Sequence, residues 1–218
     1  MKVLLYGGTF DPPHNGHLNN LRAAAARVQP DKVVVMPAGL SPFKQKTSAP
    51  GALRLEMCSC FHALEEDADT IPQLEVSGWE IEQAAAGNRN YRENPGAQLY
   101  LAIGSDMLLS FDGWHRWQDI LRLAHLVVTS RHVGDDPELH AKALRLDPTG
   151  ARILFAPVQA LPMASSDIRT RLTAGEGCEA ELPEAVRAVI RREKLYKKEV
   201  SANEPQTGKG ACARPLER

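Results

Sequence analysis

The stretch from Tyr6 to Leu18 reads Y-G-G-T-F-D-P-P-H-N-G-H-L and follows directly on the apolar run Val3-Leu4-Leu5. A short buried strand, a glycine-bearing turn and the mouth of a helix are therefore expected at the start of the chain. Gly7 and Gly8 let a ligand approach the backbone with no side chain in the way. The N–H groups that open the helix face the same space and favour negative charge. His14 and His17, three positions apart, add donors that can follow charge as it moves. This combination suits a polyphosphate and implies a chain that handles nucleotides.

The rest of the sequence alternates between two periodicities. Apolar runs expected to form strands lie at 2–6, 32–36, 70–76, 98–103, 125–129 and 152–156. Helical spacing is found at 18–28, 53–64, 117–123, 138–146, 167–174 and 184–192. Strands alternating with helices imply βαβ units and a parallel α/β sheet. In such sheets a ligand lies off the carboxyl ends of the strands, near a topological switch point. Residues 84–96 are rich in Gly, Asn, Arg and Pro and are expected to be an exposed loop. One domain is expected over 1–197, followed by a disordered tail over 198–218 with almost nothing apolar.

Bulk properties narrow the class of partner. The chain has 218 residues, 43% hydrophobic and 24% charged, with a formal net charge of -1. That length suits one domain with a full core. The charge argues against a nucleic-acid binder at whole-chain level, while leaving room for a local basic cleft. No run approaches the length of a membrane span, and the N-terminus starts on a strand without a signal pattern, so a cytoplasmic protein is expected. Cys58 and Cys60 lie two apart in a helical stretch, where they point to different faces and make a poor metal clip. With Cys178 they read as small buried residues, and Cys212 as a tail thiol.

Three further segments carry chemistry-bearing residues. Ala164-Ser165-Ser166-Asp167-Ile168-Arg169 reads as a helix start with Ser166 as N-cap, followed by an arginine whose planar fork suits phosphate oxygens. Met36-Pro37-Ala38-Gly39-Leu40-Ser41-Pro42-Phe43-Lys44 ends a strand at a proline and places a lysine in the loop beyond. Ile103-Gly104-Ser105-Asp106 is a strand end, soon followed by Gly113-Trp114-His115-Arg116-Trp117. Taken singly, each of these also fits a bland reading, as a capped helix, a surface loop, or a turn with core aromatics.

Together they resemble the H-x-G-H nucleotidyltransferases, whose signature G-G-T-F-D-P-P-H-N-G-H matches. Within that superfamily, Gly104-Ser105-Asp106 with W-x-x-W-x-x-I-L and the closing Leu182-Pro183-Glu184 to Leu195-Tyr196 segment is similar to the bacterial nicotinate-nucleotide adenylyltransferases. The resemblance covers about 2–197. It implies a Rossmann-like, doubly wound parallel sheet of the nucleotidyltransferase type with small C-terminal helices. It also implies adenylyl transfer from ATP to nicotinate mononucleotide, with Mg²⁺ accompanying the ATP.

By the same resemblance, His14, His17, Lys44 and Arg169 are the expected catalytic group. Gly7, Gly8, Thr9, Phe10, Gly16, Gly104, Asp106, Arg131, Ser165 and Ser166 would line the ATP side. Trp114, whose indole face suits an electron-poor ring, and His115 would meet the acceptor. No protein cage for a metal is expected, and a homo-oligomer is compatible with the sequence.

One departure stands out. An S-Y-T-x-x-T-L helix is usual on the acceptor side, and 82–95 of this chain lacks it, Asn90-Tyr91 being at best a remnant. Nicotinamide mononucleotide or phosphopantetheine therefore stay open as acceptors, as does a non-catalytic ATP-binding homologue. The usual cytidylyltransferase signature near the end of the sheet is not visible.

Overall fold

The computed structural model describes residues 1–39, 49–66, 71–86, 96–129, 136–159 and 161–197. The expected tail and the expected positions of Lys44, Arg131 and Asn90-Tyr91 lie outside the described residues.

Six strands form one all-parallel sheet in the order β3-β2-β1-β4-β5-β6. They are β1 (Lys2–Gly8), β2 (Lys32–Pro37), β3 (Leu74–Val76), β4 (Gln98–Gly104), β5 (Ala124–Thr129) and β6 (Ile153–Phe155). The helices are α1 (Asn15–Val28), α2 (Gly51–Met57), α3 (Trp79–Ala86), α4 (Ser105–Leu109), α5 (Trp117–Leu123), α6 (Asp136–Leu146), α7 (Ser165–Thr173) and α8 (Glu184–Glu193). This is the Rossmann-like, doubly wound α/β fold. The strand order reverses between β1 and β4, where a crevice opens above the sheet.

Alternation along each strand builds a core on both faces. Leu4 and Tyr6 of β1, Ala102 of β4 and Val127 of β5 join the cluster beneath α1, α2 and α8. Ile103 of β4 with Leu126 and Val128 of β5 point the other way, into the cluster that holds α4, α5 and α6. Val3, Val34 and Met36 form a third cluster with Trp79 of α3. Because central strands are buried on both sides, they read as continuous apolar runs such as Lys32-Val33-Val34-Val35-Met36.

Several boundaries differ from the sequence expectation for identifiable reasons. The helix expected over 53–64 is α-helical only to Met57 and continues as a 3₁₀-helix over Cys58–Glu66. Cys58, Phe61 and Leu64 recur every third residue and are all buried, a stripe that suits three residues per turn. The third strand shortens to Leu74–Val76, and the loop expected from 84 gives way to α3 as far as Ala86. Cys58, Cys60 and Cys178 are buried and free, and burial pushes the Cys60 thiol up to about 12. These thiols behave as packing groups.

One polar turn ties α6 to β6 in this frame. Asp147 follows α6, and its Oδ1 accepts from the Thr149 N–H (3.1 Å) and hydroxyl (2.5 Å). Its Oδ2 accepts from the Arg152 N–H at 2.7 Å, just before β6. Burial pushes this carboxyl up, but the donors outweigh it and hold the pKa below the usual range. A depressed carboxylate contributes stability fully above its unfolded pKa of about 3.9, and loses it as pH falls through the lower folded value. Asp147→Ala should therefore cost about 1–2 kcal/mol at neutral pH and flatten the acid limb of a urea-unfolding profile below about pH 4. An unchanged profile would remove Asp147 from the stability account.

Candidate active site

A cavity of about 960 Å³ opens at the reversal point, on the carboxyl ends of β1 and β4. Leu5 to Phe10 and Leu101 to Gly104, side by side on neighbouring strands, line it. His14 and His17 close one end, and Trp114 with His115 stand among the other lining residues.

The histidine end is built by the start of α1. His14 is the N-cap residue in extended backbone, and His17 is the third helical residue. The His14 N–H donates to His17 Nδ1 at 3.2 Å. Accepting that bond leaves the proton of the neutral His17 ring on Nε2. The two rings lie 3.8 Å apart between centroids, 33° from parallel. Phe10 backs His17 edge-on at 5.1 Å. It is fully buried against Tyr6 and Phe61, with its backbone in the left-handed region at φ 48°.

The two strand-end glycines have different reasons. A Cβ on Gly7 would meet nothing within 4 Å, as an open approach to the backbone requires. Gly8 lines the cavity as well, and a Cβ there would stand 2.8 Å from the Phe10 ring, so the glycine also seats Phe10. Gly16 likewise makes room for His14, whose Nδ1 would lie 3.0 Å from an added Cβ.

The helix donors expected to be open are partly engaged. The Asn15 N–H bonds Glu181 O at 2.8 Å, and Asn15 Nδ2 bonds Ala180 O. At α7 the N-cap is Ala164, not Ser166, which is the second helical residue and donates its hydroxyl to Asp167. Ala164, Ser165 and Ser166 line the cavity, and the Ser165 hydroxyl donates to Pro12 O at 3.0 Å. The main-chain N–H groups of Ser165 and Ser166 are the first two of the helix, the pair that cannot bond within it.

Arg169 lies one turn further along α7 and does not line the cavity. Its guanidinium donates to Asp11 O at 2.7 Å, across the loop that carries the histidines. The imidazoles and this guanidinium are thus on the same side of the molecule, joined through residues 11–14.

Gly104 is the N-cap of α4 and Asp106 lies exposed in its first turn, both at the cavity. Trp114 packs half-buried on Phe111, ring centroids 5.1 Å apart, while His115 is exposed beside it. The turn before them is tied to α6 by Lys142, whose buried amine meets Asp112 at 2.6 Å. Trp117 packs partly buried in the same apolar cluster.

Three polar residues at or behind the site were not singled out from the sequence. Asn20 follows His17 by three positions on the core face of α1 and lines the cavity. Glu80 of α3 lines it too and accepts from the Gly39 N–H at 3.3 Å. Burial pushes its carboxyl above the usual range, opposed by that N–H and by Arg54. Arg54 is 1% exposed and donates to Thr9 O at 2.8 Å. Its signal was present, since it falls in phase with Met57 and Phe61 on the buried stripe. Among the described residues no group of three or more His, Cys, Asp or Glu is placed to hold a metal ion, and no helix is long and apolar enough to cross a membrane.

The family model described as cytidylyltransferase-like matches residues 5–171. A probable nicotinate-nucleotide adenylyltransferase of Chloroherpeton thalassium is 34% identical over 204 residues, covering 91% of this chain and 98% of that protein. Its counterpart in Neisseria meningitidis serogroup B is 37% identical over 209 residues, covering 90% and 99%. The fold is similar to that of Plasmodium falciparum nicotinic acid mononucleotide adenylyltransferase complexed with NaAD. The TM-score is 0.65 at 16% identity, over 89% of this chain and 97% of that one. With the match running along nearly the whole of both sequences, this chain belongs to the cytidylyltransferase-like family and, within it, to the nicotinate-nucleotide adenylyltransferases.

Proposed function

We propose that the protein transfers the adenylyl group of ATP to nicotinate mononucleotide, giving nicotinate adenine dinucleotide and pyrophosphate. The observation that carries this is one cavity with a phosphate-suited end, at His14, His17 and the start of α7, and an aromatic wall at Trp114. Its volume, about 960 Å³, is at the upper end of the range for ligand pockets, as a two-nucleotide reaction requires.

The 5′-phosphate of the acceptor attacks the α-phosphorus of ATP in line. The bond from that phosphorus to the bridging oxygen breaks, and pyrophosphate leaves with the electron pair. The attacking group is already an anion, so no strong general base is needed, and positioning and charge stabilisation supply the rate. His17 presents its Nε2–H to the α-phosphate oxygens beside His14. Gly7, Gly8, Thr9 and Phe10 line the triphosphate path, with Gly16 shaping it from behind His14. The first N–H groups of α7, at Ser165 and Ser166, receive the outer phosphates. Arg169 holds the loop in that geometry, and Lys44 supplies positive charge for the departing pyrophosphate. Gly104 and Asp106 are assigned to a ribose, Arg131 to the adenine, and Trp114 with His115 to the pyridine ring.

Mg²⁺ bound with the triphosphate would withdraw charge from its oxygens. The cavity's carboxylates, Glu80 and Asp106, are too few for a protein cage and suit an ion that keeps its waters.

Pyrophosphate release should be fastest with nicotinate mononucleotide when it is compared with nicotinamide mononucleotide and phosphopantetheine. Faster release with either alternative would reassign the acceptor, and ATP binding without release from any of them would remove catalysis. His17→Ala should lower kcat on the order of a hundredfold, the usual loss for one transition-state donor. Near-parental kcat would exclude His17 from that role.

Gly16→Ala separates the site from the fold. Alanine favours a helix over glycine by up to about 1 kcal/mol, yet here its Cβ crowds the His14 ring. Turnover should fall at least about tenfold while the thermal midpoint holds or rises. A variant with full turnover would show that the His14 ring position is not critical.

A further inference from the structure

The Leu195-Tyr196 pair that follows α8 has no part in the reaction proposed above, and Tyr196 does not line the cavity. Even so, its hydroxyl donates to Asp11 Oδ1 at 2.7 Å, across 185 positions of sequence. Asp11 is 2% exposed and sits in the middle of the segment that turns from β1 into α1.

That segment is fastened from several directions, main-chain atom by main-chain atom. Arg54 of α2 holds the Thr9 carbonyl. Arg169 and Ser165 of α7 hold the carbonyls of Asp11 and Pro12. The Asp11 side chain receives the Ala49 N–H at 3.1 Å on the same Oδ1 that Tyr196 reaches. Every one of these bonds ends between Thr9 and Pro12, immediately before the His14 N-cap.

Tyr196 is itself fixed before it reaches Asp11. Its backbone is in the left-handed region at φ 58°, and its carbonyl accepts from the Thr173 hydroxyl of α7 at 3.0 Å. Its ring packs against the main core cluster. Burial, with Asp11 alongside, pushes the phenol well above its ordinary value, so it is a neutral O–H donor throughout the working pH range.

We infer that Tyr196 is a positioning residue for the phosphate loop. Through the Asp11 carboxylate it makes the geometry of the His14–His17 pair depend on the chain's C-terminal segment. Its kinetic consequence rests on the adenylyl-transfer reading, and its structural consequence does not. A loop held only by its own turn would sample orientations of His14 that cannot reach the α-phosphate, and misplacement by about 1 Å is enough to cost on the order of a hundredfold in rate.

Tyr196→Phe tests this, because it keeps the ring and its packing and removes only the hydroxyl. In the full-length variant we expect kcat to fall about tenfold or more, with KM for nicotinate mononucleotide within about twofold, since the Trp114 wall is on other elements. The thermal midpoint should stay within a few degrees, because one hydrogen bond is worth about 1 kcal/mol. Hydrogen exchange at the amides of 9–17 should quicken relative to those of β4 and β5. Parental kcat with parental exchange in the loop overturns the assignment, as does a kcat loss that merely follows a collapse of the thermal midpoint. Should the unaltered protein release no pyrophosphate, the catalytic reading fails and the exchange measurement decides alone. Faster exchange confined to 9–17 then upholds the positioning role, and parental exchange there overturns it.

Discussion

Parallel pairing of β1 with β2 on one edge and with β4 on the other is the constraint from which the site follows. Chain connections leave β1 and β4 toward opposite faces of the sheet. The space between their carboxyl ends therefore stays unfilled by a crossover helix. Every other requirement of the cavity is local to that gap. Strand-end glycine keeps the floor open at Gly7, α1 brings its histidines to one side, and α4 begins at Gly104 on the other. Moving the glycine–histidine segment to the end of an edge strand would leave the same residues without the neighbouring strand end that completes the cavity.

Much of this was legible in the sequence because the two buried faces impose a plain code. The central strands appear as continuous apolar runs, and their order of appearance, interleaved with helices, already implies the parallel sheet. The H-x-G-H segment was legible for a different reason: few folds need two glycines, a buried aromatic and paired histidines within eleven positions. What the sequence hid was which atom each residue serves. Gly8 lines the cavity as its sequence context suggests, and it also seats the Phe10 ring, which no local pattern announces. Ser166 looks like a cap, but the extended residue before α7 is Ala164. The two adjacent hydroxyls signal a helix start, but the backbone angles put both inside the helix and the cap on an alanine, which carries no capping signal.

Long-range polar contacts were hidden more completely. Arg54, Asp11 and Tyr196 are 43 and 142 or more positions apart, and no local pattern links them. Arg54 occupies a position in phase with buried apolar neighbours, where a sequence rule assigns a solvated face to a charged residue. Similarly, the break from α to 3₁₀ at Cys58 depends on three buried side chains at three-residue spacing, a pattern that a four-residue reading absorbs without complaint.

The polar residues beneath the loop also say what the fold is optimised for. Removing an arginine and an aspartate from water is expensive, and replacing such a pair with well-packed apolar groups is often neutral or stabilising. Arg54 is 1% exposed and Asp11 2%, on a domain with ample apolar core, so stability alone does not call for them. Their bonds go to the Thr9 carbonyl, the Ala49 amide and the Tyr196 hydroxyl, all of which converge on the few residues before His14. Catalysis by charge stabilisation needs donors that do not reorganise as the reaction proceeds. A loop in which carbonyls and a side chain are held by separate elements meets that need better than one held by its own turn. Burial of charge here is therefore best understood as rigidity at one bend of the backbone, with the histidine pair as its beneficiary.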